Sequence, residues 1–275
     1  MLNGSLQLKR EIDMKRAIFM VLFLVSCAES RGNDYQTAMD DYTANKVQAI
    51  IRTHVIPAAG EKPGEIIAAV SSAFLTTPYQ ENTLIGSTEV SEVLVADFHG
   101  VDCFTLIDYV RALSQAHDQK TFLSNLISTR YVGGRVSYLS RKHFFTDWSA
   151  TQPLNATDVT RQLSAKAVTV VKQLNRKADG STYIPGLPVI AREISYIPAH
   201  AIDSAVLDKL QTGDYVGVWT PLAGLDVTHV GIVIKSGGKV WFRNASSLKI
   251  NRQVVDSPFT DYMASKPGII VLRPH

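Results

Sequence analysis

Residues 227–245 read VTHVGIVIKSGGKVWFRNA, two β-rich runs on either side of a double glycine. Residues 227–234 alternate so that Val227, His229, Gly231 and Val233 share one face. Residues 240–245 form a second short run rich in β-branched and aromatic side chains. The turn around Ser236-Gly237-Gly238 closes the pair into a hairpin and sets His229 opposite residue 244, 245 or 246, according to turn length. Runs of the same kind occupy 214–219 and 269–272, so the C-terminal third reads as strands.

The earlier part of the chain has a different period. Residues 41–55 and 63–74 place apolar residues at three-and-four spacing and read as helices, with Pro63 fitting a first helical turn. Residues 121–129 and 157–174 also read as helices, the second capped by Thr157 or Asp158. Residues 131–156 are rich in aromatics, Gly and Arg without a period, and read as a long functional loop or insertion. Helices followed by a run of strands predict an α+β fold, an antiparallel sheet packed on helices.

A chain of 275 residues, 45% hydrophobic and 19% charged, is long enough for a closed core. A net charge of +3 and the absence of a Lys/Arg block argue against a nucleic-acid partner. Met14-Lys15-Arg16 followed by the apolar run 17–26 has the form of an export signal, with translation starting at Met14. Leu24-Val25-Ser26-Cys27 reads as a lipobox, which would make Cys27 a lipid anchor, and Ser26-Cys27-Ala28 alternatively as a small-x-small cleavage site. Residues 1–28 are therefore expected to be the signal, 29–40 a mobile lead-in and 41–275 the functional domain of an exported protein, periplasmic or membrane-anchored.

Export leaves Cys103 without an intramolecular disulfide partner, which marks it as a candidate reactive thiol. The seven histidines are scattered and no HExxH occurs, so the sequence gives no grounds for a metal or other cofactor. In GVDCFTLIDYV (100–110), Asp102 is a favourable N-cap and Cys103 the first helical residue; Cys103, Leu106, Ile107 and Val110 then share a buried face. A thiol at a helix N-terminus meets free N–H groups and the positive dipole end, which favour the thiolate. A nucleophile also needs a base and an orienting group; His229 and Asn244 across the hairpin supply both types. Gly231 leaves room for another backbone, such as the start of the cysteine helix. Asp226 is a second candidate to orient His229.

DCFTLIDYV and THVGIVI resemble the Cys and His motifs of the NlpC-type papain-like cell-wall hydrolases. FLTTPYQENTL (74–84), YLSRKHFFTDW (138–148), LDVTHVGI (225–232) and NASS (244–247) narrow the resemblance to a subfamily once known only as a domain of unknown function and since linked to N-acetylmuramoyl-L-alanine amidase activity. The resemblance implies a papain-like NlpC-type fold, with Cys103 as nucleophile, His229 as general base and Tyr79 bordering the site as an aid to the oxyanion. It places Arg141, His143, Asp147 and Trp148 beside the substrate. Two positions depart from the pattern: Asn244 stands where a histidine is expected, and Lys142 where the residue is often apolar. The implied function is an exported cysteine hydrolase that cuts the amide between N-acetylmuramic acid and L-alanine in peptidoglycan fragments. The alternatives are a γ-D-glutamyl stem-peptide endopeptidase and an inactive peptidoglycan-binding lipoprotein.

Overall fold

A computed structural model describes residues 35–275. The expected signal, its Met14 start and Cys27 lie outside the described residues. Eight strands form one sheet in which every pairing is antiparallel. They are β3 (Ala156–Asp158), β4 (Val168–Leu174), β5 (Ile190–Pro198), β6 (Tyr215–Trp219), β7 (Val227–Ser236), β8 (Lys239–Ala245), β9 (Val254–Pro258) and β10 (Gly268–Pro274). The order is β4-β5-β10-β6-β7-β8-β9, with β3 attached to β10. A separate parallel pair joins β1 (Gln36–Ala38) to β2 (Val93–Val95), so part of the expected lead-in is a strand.

Four helices pack on one face of the large sheet: α1 (Asp41–Ile50), α2 (Pro63–Ser72), α3 (Cys103–Ser114) and α4 (Gln119–Arg130). They share a core with one face of β7, in which Val47, Ile67, Val70, Leu106, Val110, Phe122, Val230 and Ile232 are all fully buried. The opposite face carries a smaller core under α6 (Thr160–Leu163), α7 (Ser204–Lys209) and α8 (Phe259–Ala264), built around Val216, Val233, Phe242 and Phe259. The mixed helix and antiparallel-sheet architecture is the expected α+β class.

Helix α3 lies in the middle of this arrangement, and every residue from Thr105 to Ser114 is buried. Two charged residues in that run need partners. Asp108 meets Arg130 of α4 at 2.7 Å, and Arg130 also donates to the Val95 carbonyl. Arg111 donates towards the His275 carbonyl at 3.5 Å.

Residues 157–174, expected to be helical, are divided among β3, the single turn of α6 and β4. Strand β4 pairs with β5 over seven residues, from Val168↔Tyr196 to Leu174↔Ile190. The β-branched Val168-Thr169-Val170-Val171 run suits that edge pairing better than a helix. Residues 131–156 are not a loose loop either: short turns and α5 (Asp147–Ala150) fill the segment, and Tyr131 and Trp148 are fully buried.

The hairpin turn is two residues long, Ser236 pairing with Lys239, and both glycines have positive φ, as a type I′ turn requires. Gly231 faces its neighbouring strand instead of the cysteine helix. A Cβ there would lie 2.5 Å from the Arg243 carbonyl oxygen and 2.6 Å from the Phe242 ring. Gly231→Ala is therefore expected to cost about 1–3 kcal/mol in urea unfolding; unchanged stability would contradict this packing.

Candidate active site

Asp102 caps α3 as expected. Its Oδ1 accepts from the amides of Phe104 (2.9 Å) and Thr105 (2.7 Å), and the Thr105 hydroxyl accepts from the Asp102 amide, closing a capping box. The Leu106 amide bonds the Asp102 carbonyl. Of the first helical amides, that of Cys103 is left without an oxygen acceptor among the described residues.

Cys103 is half-buried, at the accessible end of an otherwise covered helix. Its sulfur lies against the amides of Val230, Cys103 and Phe104, which favour a thiolate. Burial opposes them more strongly, and the Asp102 carboxylate adds to the opposition, so the thiol is pushed up to about 12. The amides at the helix start favour the thiolate as expected, but desolvation outweighs them.

The Val230 amide places the sulfur beside the residue that follows His229. Strand β7 is irregular just there. Val218 of β6 pairs with His229 and Trp219 with Val227, so Thr228 is the extra residue of a bulge. Such bulges re-aim the adjacent side chains. On its other side β7 pairs with β8 only as far as Ile232↔Arg243. Continued, that register sets Ser246 opposite His229 and Asn244 two positions away on the same face, a diagonal neighbour.

The diagonal is bridged. His229 Nε2 and Asn244 Oδ1 are 3.0 Å apart. Asn244 is fully buried, and its Nδ2 donates to the Phe242 carbonyl at 3.0 Å. A carbonyl only accepts, so the amide orientation is decided and Oδ1 faces the imidazole. Nε2 must then carry the proton, and Nδ1 keeps its lone pair. Burial lowers the His229 pKa, with Lys266 acting in the same direction; the Asn244 bond and Asp102 act against this. The imidazole is therefore held neutral, in the tautomer a general base requires.

Tyr79 is brought to the same place. Its amide donates to the Arg252 carbonyl, it bridges to Val101, and the Arg252 guanidinium lies 4.9 Å from its ring centroid. Burial raises its pKa, and a charge on Cys103 raises it further.

The other expected site residues are engaged in contacts of their own. Trp148 has no exposed surface and meets Phe104 edge-on at 6.3 Å, so its expected contact with substrate is corrected to a place beneath the start of α3. Asp147 is likewise committed, its two oxygens accepting from the Phe144 amide and Arg192. Arg141 grips Glu92 through two bonds of 2.7 Å, and His143 Nε2 donates to the Tyr138 carbonyl. Lys142 is buried, and its ammonium donates to the carbonyls of Ser128 and Pro153 and to Asn155. Burial lowers its pKa to about 8. Asp226 holds the amide and hydroxyl of Thr146 instead of His229. His99 pairs with Asp40 at 2.8 Å.

One group at the site had no signal in the sequence. Tyr262 of α8 packs on His229 with ring centroids 6.2 Å apart and planes 30° apart, and on Phe242 at 4.9 Å. Only the pairing of β8 with β9 carries α8 to this position.

The profile of the N-acetylmuramoyl-L-alanine amidase-like (AmiA-like) family matches residues 69–269. The chain belongs to this family. Tyr79, Cys103, His229, Asn244 and Tyr262 all fall within the matched span. Two crystal structures of an N-acetylmuramoyl-L-alanine amidase from Bacteroides uniformis ATCC 8492 are similar at 26% identity, with TM-scores of 0.66 and 0.65. They cover 78% and 77% of this chain and 99% and 98% of their own. A protein from Legionella pneumophila str. Philadelphia 1 shares the fold at TM-score 0.69 and 21% identity, over 85% of this chain and 96% of its own. No curated protein matches the chain.

The raised thiol pKa has a measurable consequence. Iodoacetamide alkylation of Cys103, followed by mass spectrometry, is expected to accelerate about tenfold per pH unit up to at least about pH 10. A rate plateau below neutral pH would reveal a pre-formed thiolate and contradict the burial argument.

Proposed function

We propose that this family member is a cysteine hydrolase of peptidoglycan fragments that cuts the amide between N-acetylmuramic acid and L-alanine. The observation that carries the mechanism is the His229–Asn244 hydrogen bond, because it leaves Nδ1 free on the residue next to Val230, whose amide meets the Cys103 sulfur. The family match and the amidase structures support the substrate class. The papain-like, NlpC-type order of Cys, His and Asn supports placement in that superfamily. The apolar run 17–26 supports export, with Cys27 as lipid anchor or cleavage site.

In the first step the substrate carbonyl lies over the N-terminus of α3. His229 Nδ1 takes the Cys103 proton as sulfur attacks the carbonyl carbon, so no free thiolate need accumulate. The oxyanion is received by the Cys103 amide, which has no oxygen acceptor of its own among the described residues, and by the Tyr79 hydroxyl. As the tetrahedral species collapses, the C–N bond breaks and the imidazolium returns its proton to the departing L-alanine nitrogen. A thioester to the lactyl carbonyl of the sugar remains. Water, deprotonated by His229, attacks it; the C–S bond breaks and the thiol is restored with a free carboxyl on the muramic acid.

Mass spectrometry of defined muropeptides incubated with wild type and Cys103→Ala tests this reading. Free sugar acid with an intact stem peptide is expected from wild type and none from the variant. Release of a peptide lacking L-alanine and D-glutamate would make the protein a stem-peptide endopeptidase. Binding without turnover would make it a peptidoglycan binder. Asn244→Ala is expected to lower kcat by about 10- to 100-fold, since the ring then loses its fixed orientation; wild-type kcat would remove Asn244 from the mechanism.

A further inference from the structure

The cysteine, base and amide do not account for everything packed against the imidazole. His229 is enclosed by two aromatic rings from different elements: Phe242 of β8, edge-on at 6.0 Å, and Tyr262 of α8, at 6.2 Å with planes 30° apart. The two rings also contact each other at 4.9 Å, so they form one wall. Phe242 is fully buried and itself packs edge-on against Phe259, which anchors α8. Tyr262 is half-buried, forming the outer part of the wall, and Lys266 lies 4.9 Å from its ring centroid. Tyr262 also lies close enough to Cys103 for a charge on the sulfur to raise its own pKa. It makes no side-chain hydrogen bond with any described residue, so hydrogen bonding does not account for its position.

We infer that Tyr262 is a positioning residue: with Phe242, its ring clamps the His229 imidazole in the plane that keeps Nε2 on Asn244 and Nδ1 open to the thiol. A single hydrogen bond fixes one point of a ring that is free to rotate about χ2. The aromatic wall supplies the second constraint, and it shields the Nε2–Asn244 bond from water. The inference rests on the reading of His229 as the base, and deepens it. The charged groups that bear on the imidazole are Lys266 and Asp102, and Tyr262 of α8 packs on it; the Cys103 sulfur lies at the amide of Val230, the next residue along β7. Tyr79, with Arg252 over its ring, is buried enough for its pKa to be raised and close enough to the thiol for a charge there to raise it further. Removing the Tyr262 ring admits water, so the His229 titration moves up towards its ordinary value.

The test uses Tyr262→Phe, Tyr262→Ala and Tyr262→Leu in the full chain. Each is assayed for kcat and KM on a muropeptide and for the His229 titration by NMR of the ring nitrogens. Tyr262→Phe keeps the ring and is expected to behave as wild type in every measurement. Tyr262→Ala is expected to lose about 10- to 100-fold in kcat with KM within about twofold, and its His229 midpoint to rise. Tyr262→Leu fills the space without a ring plane and decides the matter if the alanine variant does not fold; the same loss and rise are expected. Wild-type kcat and an unmoved titration in a folded Ala or Leu variant would overturn the inference, as would a Phe variant that behaves like Ala. If wild type cleaves no muropeptide, the amidase reading fails, while the NMR titration still decides the role of Tyr262.

Discussion

The burial of helix α3 against strand β7 is the constraint on which the rest of the structure depends. Ten consecutive residues of that helix are out of solvent, including Asp108 and Arg111, so its charged groups must find partners within the core. Its buried carboxylate requires Arg130, which fixes α4, and Arg130 in turn reaches back to the Val95 carbonyl of β2. The one end that stays accessible carries the Asp102 capping box and Cys103. Packing that serves stability thus delivers a thiol, and an amide with no oxygen acceptor among the described residues, to the start of β7, where that strand bulges.

The electrostatics follow from the same burial. A helix terminus alone would favour the thiolate, but desolvation and the adjacent cap carboxylate hold the sulfur protonated. The cap that stabilises the helix start therefore works against a charge on the sulfur; in the proposed mechanism, proton transfer to a neighbouring base reconciles them. Burial keeps His229 neutral, which is the form able to accept that proton. Asn244 replaces the histidine expected by resemblance, and does so without loss of definition. Its own amide is fixed by the Phe242 carbonyl, so the tautomer of His229 follows from hydrogen-bond valence alone.

Much of this was legible in the sequence, for local reasons. Asp102 before an apolar three-and-four pattern announced both the cap and the position of Cys103, and the double glycine announced a hairpin that brings His229 near Asn244. Their diagonal relation was less accessible, because it depends on a turn of two residues and on where the ladder stops. The helix expected over 157–174 failed because its β-branched half pairs with β5, a strand more than a dozen residues away. Resemblance alone placed Trp148 and Asp147 beside the substrate; packing shows Trp148 beneath the start of α3 and Asp147 held by Arg192. Tyr262 carried no signal at all, since its place beside His229 is set by the chain path from β8 through β9 to α8.

Intact-protein mass spectrometry of the enzyme, quenched during turnover of a muropeptide, tests the central claim most directly. The account predicts a covalent adduct on the Cys103 peptide whose mass is that of the muramic-acid moiety less water, with no L-alanine attached. Turnover without any adduct on Cys103 in rapidly quenched samples, together with turnover undiminished in Cys103→Ala, would contradict it.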